Sequence, residues 1–404
     1  NNEISTFTTH TAADIQALID SYDISITPRD YQFEAFKFAL ENERGLILSP
    51  TASGKSLIAY MLIRHYLNAI DNNILIIVPT TSLVEQLYKD FKSYGYDVEN
   101  NVSRNYHGYE IEEDKRVVIS TWQSLYKLPK TFFADFGAVI GDEAHLFKAV
   151  SLTKIMTKLV DCKYRIGMTG TLDDSKTHKL VLQGLFGQVN KVVSSKELIE
   201  KKQLADLKII CLVLKYNEQD SKSIRGVKYH EELEFIAQNE QRNKYIRNLA
   251  LALNGNTLCL FQLVEKHGQH LYKLIKEKAD KDRKVFFVYG GTDTSTREEI
   301  RAITEREENA IIVASYGTFS TGINIRNLHN IIFSSPSKSR IRNLQSIGRG
   351  LRIGDNKTSA TLYDISDDLT YKDKKNFTLT HFQERINIYN EEGFNYEIHS
   401  VNLK

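Results

Sequence analysis

Proline, cysteine and tryptophan are all scarce in this chain, which holds five prolines, three cysteines and one tryptophan in 404 residues. So little proline, beside 21 glycines, excludes collagen-like and low-complexity architecture. Cys162, Cys211 and Cys259 lie far apart and form no Cys-x-x-Cys pair, so no disulfide framework is expected. Each reads as a small core residue of a protein kept reduced. An excess of either charge is also missing. Fifty-three basic and 51 acidic side chains leave +2, so a grip on nucleic acid must come from local basic placement and not from a global field. No apolar run approaches the roughly 18 residues of a spanning helix. Patches such as Ile74 to Val78 and Ile311 to Ala314 have the length of buried strands, and no membrane partner is expected. The opening Asn1-Asn2-Glu3-Ile4-Ser5 carries neither an initiator methionine nor a charged-then-apolar signal, which points to a fragment of a cytoplasmic protein.

What is present suffices for two or three domains of a globular protein, with 41% hydrophobic and 26% charged residues. From Gly45 to Met168, short β-rich runs (Gly45 to Leu48, Ile74 to Val78, Val117 to Ile119, Ala138 to Ile140, Tyr164 to Met168) alternate with stretches of helical period. That alternation predicts a parallel α/β sheet. It recurs with Thr257 to Phe261, Lys284 to Val288, Ala310 to Ala314, Asn330 to Phe333 and Ser359 to Asp364, so two α/β domains are expected, 1–204 and 205–404. Residues 205–247 are charge-rich and read as a linker or insertion, and 377–404 as a C-terminal helix and tail. In that helix Leu379, Phe382, Ile386 and Tyr389 form one apolar face.

Two motifs carry chemistry. Ser49-Pro50-Thr51-Ala52-Ser53-Gly54-Lys55-Ser56 follows a strand and opens a helical run, the order that a phosphate cradle requires. Backbone N–H groups of Thr51, Ala52, Ser53 and Gly54 with the helix N-terminus make an anion site. There Lys55 reaches the β and γ phosphates of ATP and Ser56 ligates Mg²⁺. Ser49 stands where the usual pattern begins with glycine. The second motif, Asp142-Glu143-Ala144-His145, ends an apolar strand in paired carboxylates, with Asp142 as a Mg²⁺ ligand and Glu143 as the group that polarises the attacking water. Either alone has a bland reading, a polar turn or an acidic first helical turn. Together they point to nucleotide hydrolysis.

These residues resemble superfamily 2 helicases, and further matches follow in family order. Pro28-Arg29-Asp30-Tyr31-Gln32 resembles the adenine-reading element, with Arg29 and Gln32 as nucleotide contacts. Thr80-Thr81 and Thr121-Trp122-Gln123 resemble strand-tracking motifs, and Thr169-Gly170-Thr171 the motif that couples nucleotide to domain movement. Ser315 to Asn324 resembles the fifth motif, bringing Gly322 and Asn324 to the nucleotide and Thr318 and Phe319 to nucleic acid. Gln345-Ser346-Ile347-Gly348-Arg349-Gly350-Leu351-Arg352 resembles the sixth. At i and i+3 of a helix, Arg349 and Arg352 share a face, with Gln345 one turn earlier on it, and the pair can present arginine to the γ phosphate.

The resemblance implies two tandem RecA-like domains with a nucleotide cleft between them. Within the superfamily it is strongest to the phage recombination helicases, which implies ATP-driven unwinding and branch migration of junctions, forks and displaced strands. It also implies a missing small N-terminal substrate-binding domain, and host cytoplasm as the location. DNA, single-stranded or branched, is the implied partner, with RNA in hybrids a further one and a monomer the expected state. Gly290 and Arg297 are added as strand contacts in the second domain. For Trp122 and Phe319 burial in the core competes with base contact. An RNA helicase, a duplex translocase without strand separation, and a nucleotide-gated DNA clamp stay open as alternatives.

Overall fold

The apolar runs of the first half fold into one parallel sheet. Its strands are β1 (Arg44–Leu48), β2 (Asn73–Val78), β3 (Val102–Asn105), β4 (Val117–Thr121), β5 (Phe136–Asp142), β6 (Tyr164–Thr169) and β7 (Gln188–Lys191). They lie in the order β3-β4-β2-β5-β6-β1-β7, and each pairing is parallel. The period of two sends Ile74, Ile76 and Val78 of β2 into one core and Leu75 and Ile77 into the other. A strand buried on both faces needs such a continuous apolar run. The helix Lys55–Ala69 covers one face, burying Leu57 to Ile63 and Tyr66. Phe147 and Phe186 pack on the other, their rings 5.1 Å apart. The computed structural model describes residues 10–403 except 107, 109–110, 173–175, 323–324, 336 and 355–356, and it does not describe the side chains at 148, 176, 320–322 and 341.

The chain divides into two units, 1–194 and 195–404. The join precedes the expected position at Leu204 because the helix Ser195–Glu200 packs with the second unit. Leu198 is buried, Lys196 lies against Gly393, and the Ala205 N–H donates to the Leu351 carbonyl at 2.8 Å. The second unit builds another parallel sheet from β8 (Asp206–Lys215), β9 (Thr257–Phe261), β10 (Val285–Val288), β11 (Ile311–Ser315), β12 (Asn330–Phe333), β13 (Ser359–Asp368) and β14 (Tyr396–Asn402). Their order is β10-β11-β9-β12-β13-β8-β14. Both chain halves are therefore RecA-like α/β units, as expected.

Two parts of the second unit differ from expectation. Residues 205–247 are neither a linker nor an insertion, since β8 sits inside the sheet between β13 and β14. Charged Asp206, Lys208 and Lys215 flank its apolar stretch Ile209 to Leu214 and disguise it. The C-terminal segment is likewise no tail, because β14 adds a sheet edge after the helix Phe377–Glu392. In that helix Leu379 and Ile386 are only half-buried, and the inward face comprises Thr378, His381, Phe382, Arg385, Ile388 and Tyr389. Arg385 is fully buried and held by Asp364 of β13 at 2.8 Å, while Tyr389 donates to the same carboxylate at 2.8 Å. Arg242 and Asp367 form a second buried pair at 2.7 Å. Breaking such a buried pair by removing one partner is strongly destabilising, and neither pair is visible to an apolar-period reading.

The three cysteines are buried and free, as expected of core residues. Burial pushes the Cys162 and Cys259 thiols up to about 12. Among the described residues no helix is long and apolar enough to cross a membrane.

Candidate active site

The candidate motifs at 49–56, 80–81, 121–123, 142–145 and 169–171 fall at the carboxyl ends of strands, where parallel sheets place ligands, whereas Arg29 to Gln32 open the helix Asp30–Glu41 ahead of β1. Leu48 of β1 is paired with Thr169 of β6, and Met168 of β6 with Asp142 of β5. Neighbouring strands are about 4.8 Å apart, so the phosphate loop, the Thr-Gly-Thr turn and the acidic pair share two strand spacings.

The phosphate loop is held from within. The Ser49 N–H donates to the Thr169 carbonyl at 2.9 Å, Ser49 and Ser53 share a hydroxyl bond of 2.6 Å, and Ser53 Oγ donates to the Pro50 carbonyl at 2.7 Å. Both serines are fully buried, so their hydroxyls shape the loop. Ala52 and Gly54 take φ of 69° and 79°, a conformation that turns successive N–H groups toward an anion. The Lys55 ammonium lies over the loop, 3.4 Å from the carbonyls of Ser49 and Pro50. The Ser56 hydroxyl bonds the Tyr94 hydroxyl at 2.8 Å.

The Gln32 amide is engaged within the chain. Its Nε2 donates to the carbonyls of Ser53 at 3.0 Å and Gly54 at 3.2 Å, and its Oε1 accepts from the Arg29 N–H at 2.9 Å. Both ends of the amide are thus spent on the phosphate loop and on the start of its own helix. Tyr31, which motif reading passed over, donates to the Ser53 carbonyl at 2.8 Å and accepts from Arg29 Nη1 at 3.0 Å. The segment clamps the loop. Gly54→Ala is expected to disturb this clamp, because a Cβ there collides with Gln32 Nε2 and the positive φ costs an L residue about 1–2 kcal/mol. Equilibrium binding should show nucleotide affinity at least about tenfold weaker, with a melting temperature lowered by a few degrees.

On β5, Asp142 is buried and its carboxylate accepts the Glu143 N–H at 2.9 Å, closing a turn that puts Glu143 at φ 50°, ψ 50°. Strain of this kind in a residue other than glycine costs about 1–3 kcal/mol and clusters at functional sites. His145 Nδ1 lies 3.4 Å from Glu143 Oε2 and 2.9 Å from Thr169 Oγ1, which in turn donates to the Thr171 carbonyl at 3.0 Å. A Cβ on Gly170 would meet the Thr51 N–H nitrogen at 3.2 Å. His145 therefore connects the acidic motif to the Thr-Gly-Thr turn, and that turn abuts the phosphate loop. Adjacency in the tetrapeptide was the only hint of this role in the sequence.

The expected strand contacts divide. Thr81 and Gln123 are exposed, whereas Thr80 caps the helix Thr81–Ser93, accepting the Leu83 N–H at 3.4 Å. Thr121 is buried and bonds Ser124 at 3.1 Å. Trp122 is half-buried against the core beneath β4, 6.2 Å from Tyr126. In the second unit Gly290 is exposed, and Arg297 Nη2 donates to its carbonyl at 3.0 Å. Thr318 is buried and bonds Ser315 at 2.8 Å. Phe319 is fully buried, as the burial alternative expected. Gly322 ends the helix Tyr316–Gly322, and Asn324 lies outside the described residues.

Gln345 and Arg349 lie on the helix Arg340–Gly350, but Arg352 does not. The helix stops at Gly350 with Leu351 as its cap, so the i, i+3 spacing of the two arginines does not place them on one helical face. Arg352 sits in the turn just beyond, whose position is set by tertiary bonds.

Residues 25–174 match the family described as type III restriction enzyme, res subunit, and residues 240–354 match the helicase conserved C-terminal domain. The chain is 37% identical over 395 residues to the ATP-dependent DNA helicase uvsW of Enterobacteria phage T4, covering 94% of this chain and 78% of that protein. It is 27% identical over 362 residues to the DNA 3'-5' translocase XPB2 of Sulfurisphaera tokodaii, covering 80% of this chain and 78% of that one. The fold resembles a fragment of a putative HsdR subunit of a type I restriction enzyme from Vibrio vulnificus YJ016, with TM-score 0.70 and 17% identity over 96% of this chain and 71% of that chain. Shared identity across nearly the whole length, with helicase motifs in order on two parallel sheets, shows that this protein belongs to the superfamily 2 helicases, in the family of uvsW.

Proposed function

We propose that this chain couples ATP hydrolysis to movement along a DNA strand and thereby unwinds or branch-migrates forks and junctions. Membership of the family makes it an ATP-hydrolysing DNA helicase, and the branched substrate is the finer reading. The observation that supports the coupling to ATP hydrolysis is the convergence of the phosphate loop, Asp142-Glu143 and Thr169-Gly170-Thr171 at adjoining strand ends, linked through His145.

In this reading the N–H groups of the loop and Lys55 bind the triphosphate. Asp142 and Ser56 offer hard oxygen donors that fit Mg²⁺, Ser56 after turning from Tyr94. Bound there, the ion would neutralise charge on the β and γ phosphate oxygens. Glu143 accepts a proton from the attacking water. Gln345, Arg349 and Arg352 are assigned to the γ phosphate, where arginine stabilises charge that develops in the transition state. Loss of that phosphate is felt by Thr169-Gly170-Thr171 through His145. The exposed Thr81, Gln123 and Gly290, with Arg297, contact the sugar-phosphate backbone without reading bases.

The test is phosphate release with single-stranded, duplex, forked and four-way DNA beside matching RNA, together with strand displacement. Forked and four-way DNA should stimulate most and be unwound. Equal or greater stimulation by RNA rejects the DNA reading, stimulation by duplex without strand displacement selects a duplex translocase, and absent stimulation selects a clamp.

A further inference from the structure

Lys357 is 1% exposed, and nothing in the motif chemistry accounts for a buried ammonium there. Taking such a group out of water is costly unless its donors are all used. Lys357 Nζ donates to the carbonyls of Gly350, of Arg352 at 3.0 Å and of Arg326 at 3.3 Å, so three donors meet three acceptors. Gly350 is the last residue of the helix carrying Gln345 and Arg349, and its carbonyl is one of the orphan acceptors that a helix end leaves. A cation at this end also suits the helix dipole.

The rest of the surroundings tighten the same short segment. The intervening Leu351 carbonyl accepts the Ala205 N–H at 2.8 Å. All three consecutive carbonyls of Gly350, Leu351 and Arg352 are thereby tied, two of them to Lys357. A Cβ on Gly350 would collide with Ile331 of β12, so the helix end is already pressed on the sheet. Glu305 attracts the ammonium and also accepts the Arg326 N–H at 2.6 Å, while Arg352 repels it, and His329 is the further titratable neighbour. Burial pushes the lysine down to about 7.

We propose that Lys357 is a positioning residue for ATP hydrolysis, fixing the turn that carries Arg352 by tying together the carbonyls of Gly350, Arg352 and Arg326. This rests on the assignment of Arg352 to the γ phosphate. Lys357 itself touches neither nucleotide nor reacting atoms in this role. It acts through the backbone of Arg352, where a displacement of about 1 Å at a catalytic group costs on the order of 10²-fold in rate.

The experiment compares the wild type, Lys357→Met, Lys357→Gln, Arg352→Ala and the double variant Lys357→Met/Arg352→Ala. It measures ATP turnover with saturating single-stranded DNA, nucleotide affinity and thermal unfolding. Lys357→Met should lower kcat by about 10²-fold with KM for ATP within about threefold of wild type. Lys357→Gln keeps two donors without the charge and should fall between, and it carries the test if the methionine variant does not fold. The double variant should turn over no more slowly than Arg352→Ala alone. Wild-type turnover in either folded Lys357 variant, a rise in KM with kcat unchanged, or an additive further loss in the double variant overturns the proposal. Normal turnover in Arg352→Ala instead rejects the arginine assignment on which it rests, a separate result.

Discussion

Arg352→Ala is expected to reduce DNA-stimulated ATP turnover by about 10³-fold while leaving nucleotide affinity unchanged. Arginines supplied to a transferring γ phosphate are worth about 10³–10⁵ in kcat, because they stabilise charge that develops in the transition state. In the proposed reading the loop and Lys55 serve ground-state binding, and those groups are untouched by the substitution. Phosphate release and equilibrium binding of a fluorescent nucleotide separate the two effects. Arg352→Lys should recover little, since an ammonium cannot reproduce the planar fork. Normal DNA-stimulated turnover in Arg352→Ala would remove the arginine from the chemistry.

Glu143→Gln should bind ATP at wild-type affinity and hydrolyse it about 10²–10⁴-fold more slowly, the usual worth of a positioned general base. Glutamine matches glutamate in size, so the turn at φ 50° and the bond from the Glu143 N–H to Asp142 stay in place. What is lost is the carboxylate lone pair proposed to take the proton. The variant should consequently accumulate in its ATP-bound state, and its complex with single-stranded DNA should outlive that of the wild type when ATP is present. Single-turnover hydrolysis with excess enzyme measures the chemical step directly. A single-turnover rate equal to wild type would assign the proton transfer elsewhere.

The motifs whose placement was legible in the sequence are those in which local chemistry and order coincide. An apolar strand, a loop with Gly54-Lys55-Ser56 and a helix can be recognised together, as can an apolar strand ending in Asp142-Glu143. Strand ends at the carboxyl side of a parallel sheet then bring these motifs together with little freedom left. The same logic located ten of the strands from short β-rich runs. It passed over the edge strands β7 and β14, which are largely exposed and carry little apolar pattern, and β3, whose four residues hold a single apolar side chain, Val102. It also passed over β8, because charged residues at both ends made a buried strand look like a linker.

Where a residue's surroundings come from partners elsewhere in the chain, residue type alone did not show them. Gln32 has a donor and an acceptor that suit a base edge, but the fold places Ser53 and Gly54 against one and Arg29 against the other. Phe319 has the shape of a wedge, and the fold surrounds it with core. Spacing alone put Arg352 on a helix that in fact ends at Gly350. Period and side-chain chemistry are local properties, so the residue order alone was enough for the two α/β units and the succession of the motifs. Which amide clamps the loop, which histidine joins two motifs and which buried lysine ties down the arginine turn came from the folded chain, because a hydrogen bond forms between neighbours in space, and these neighbours are mostly remote in sequence.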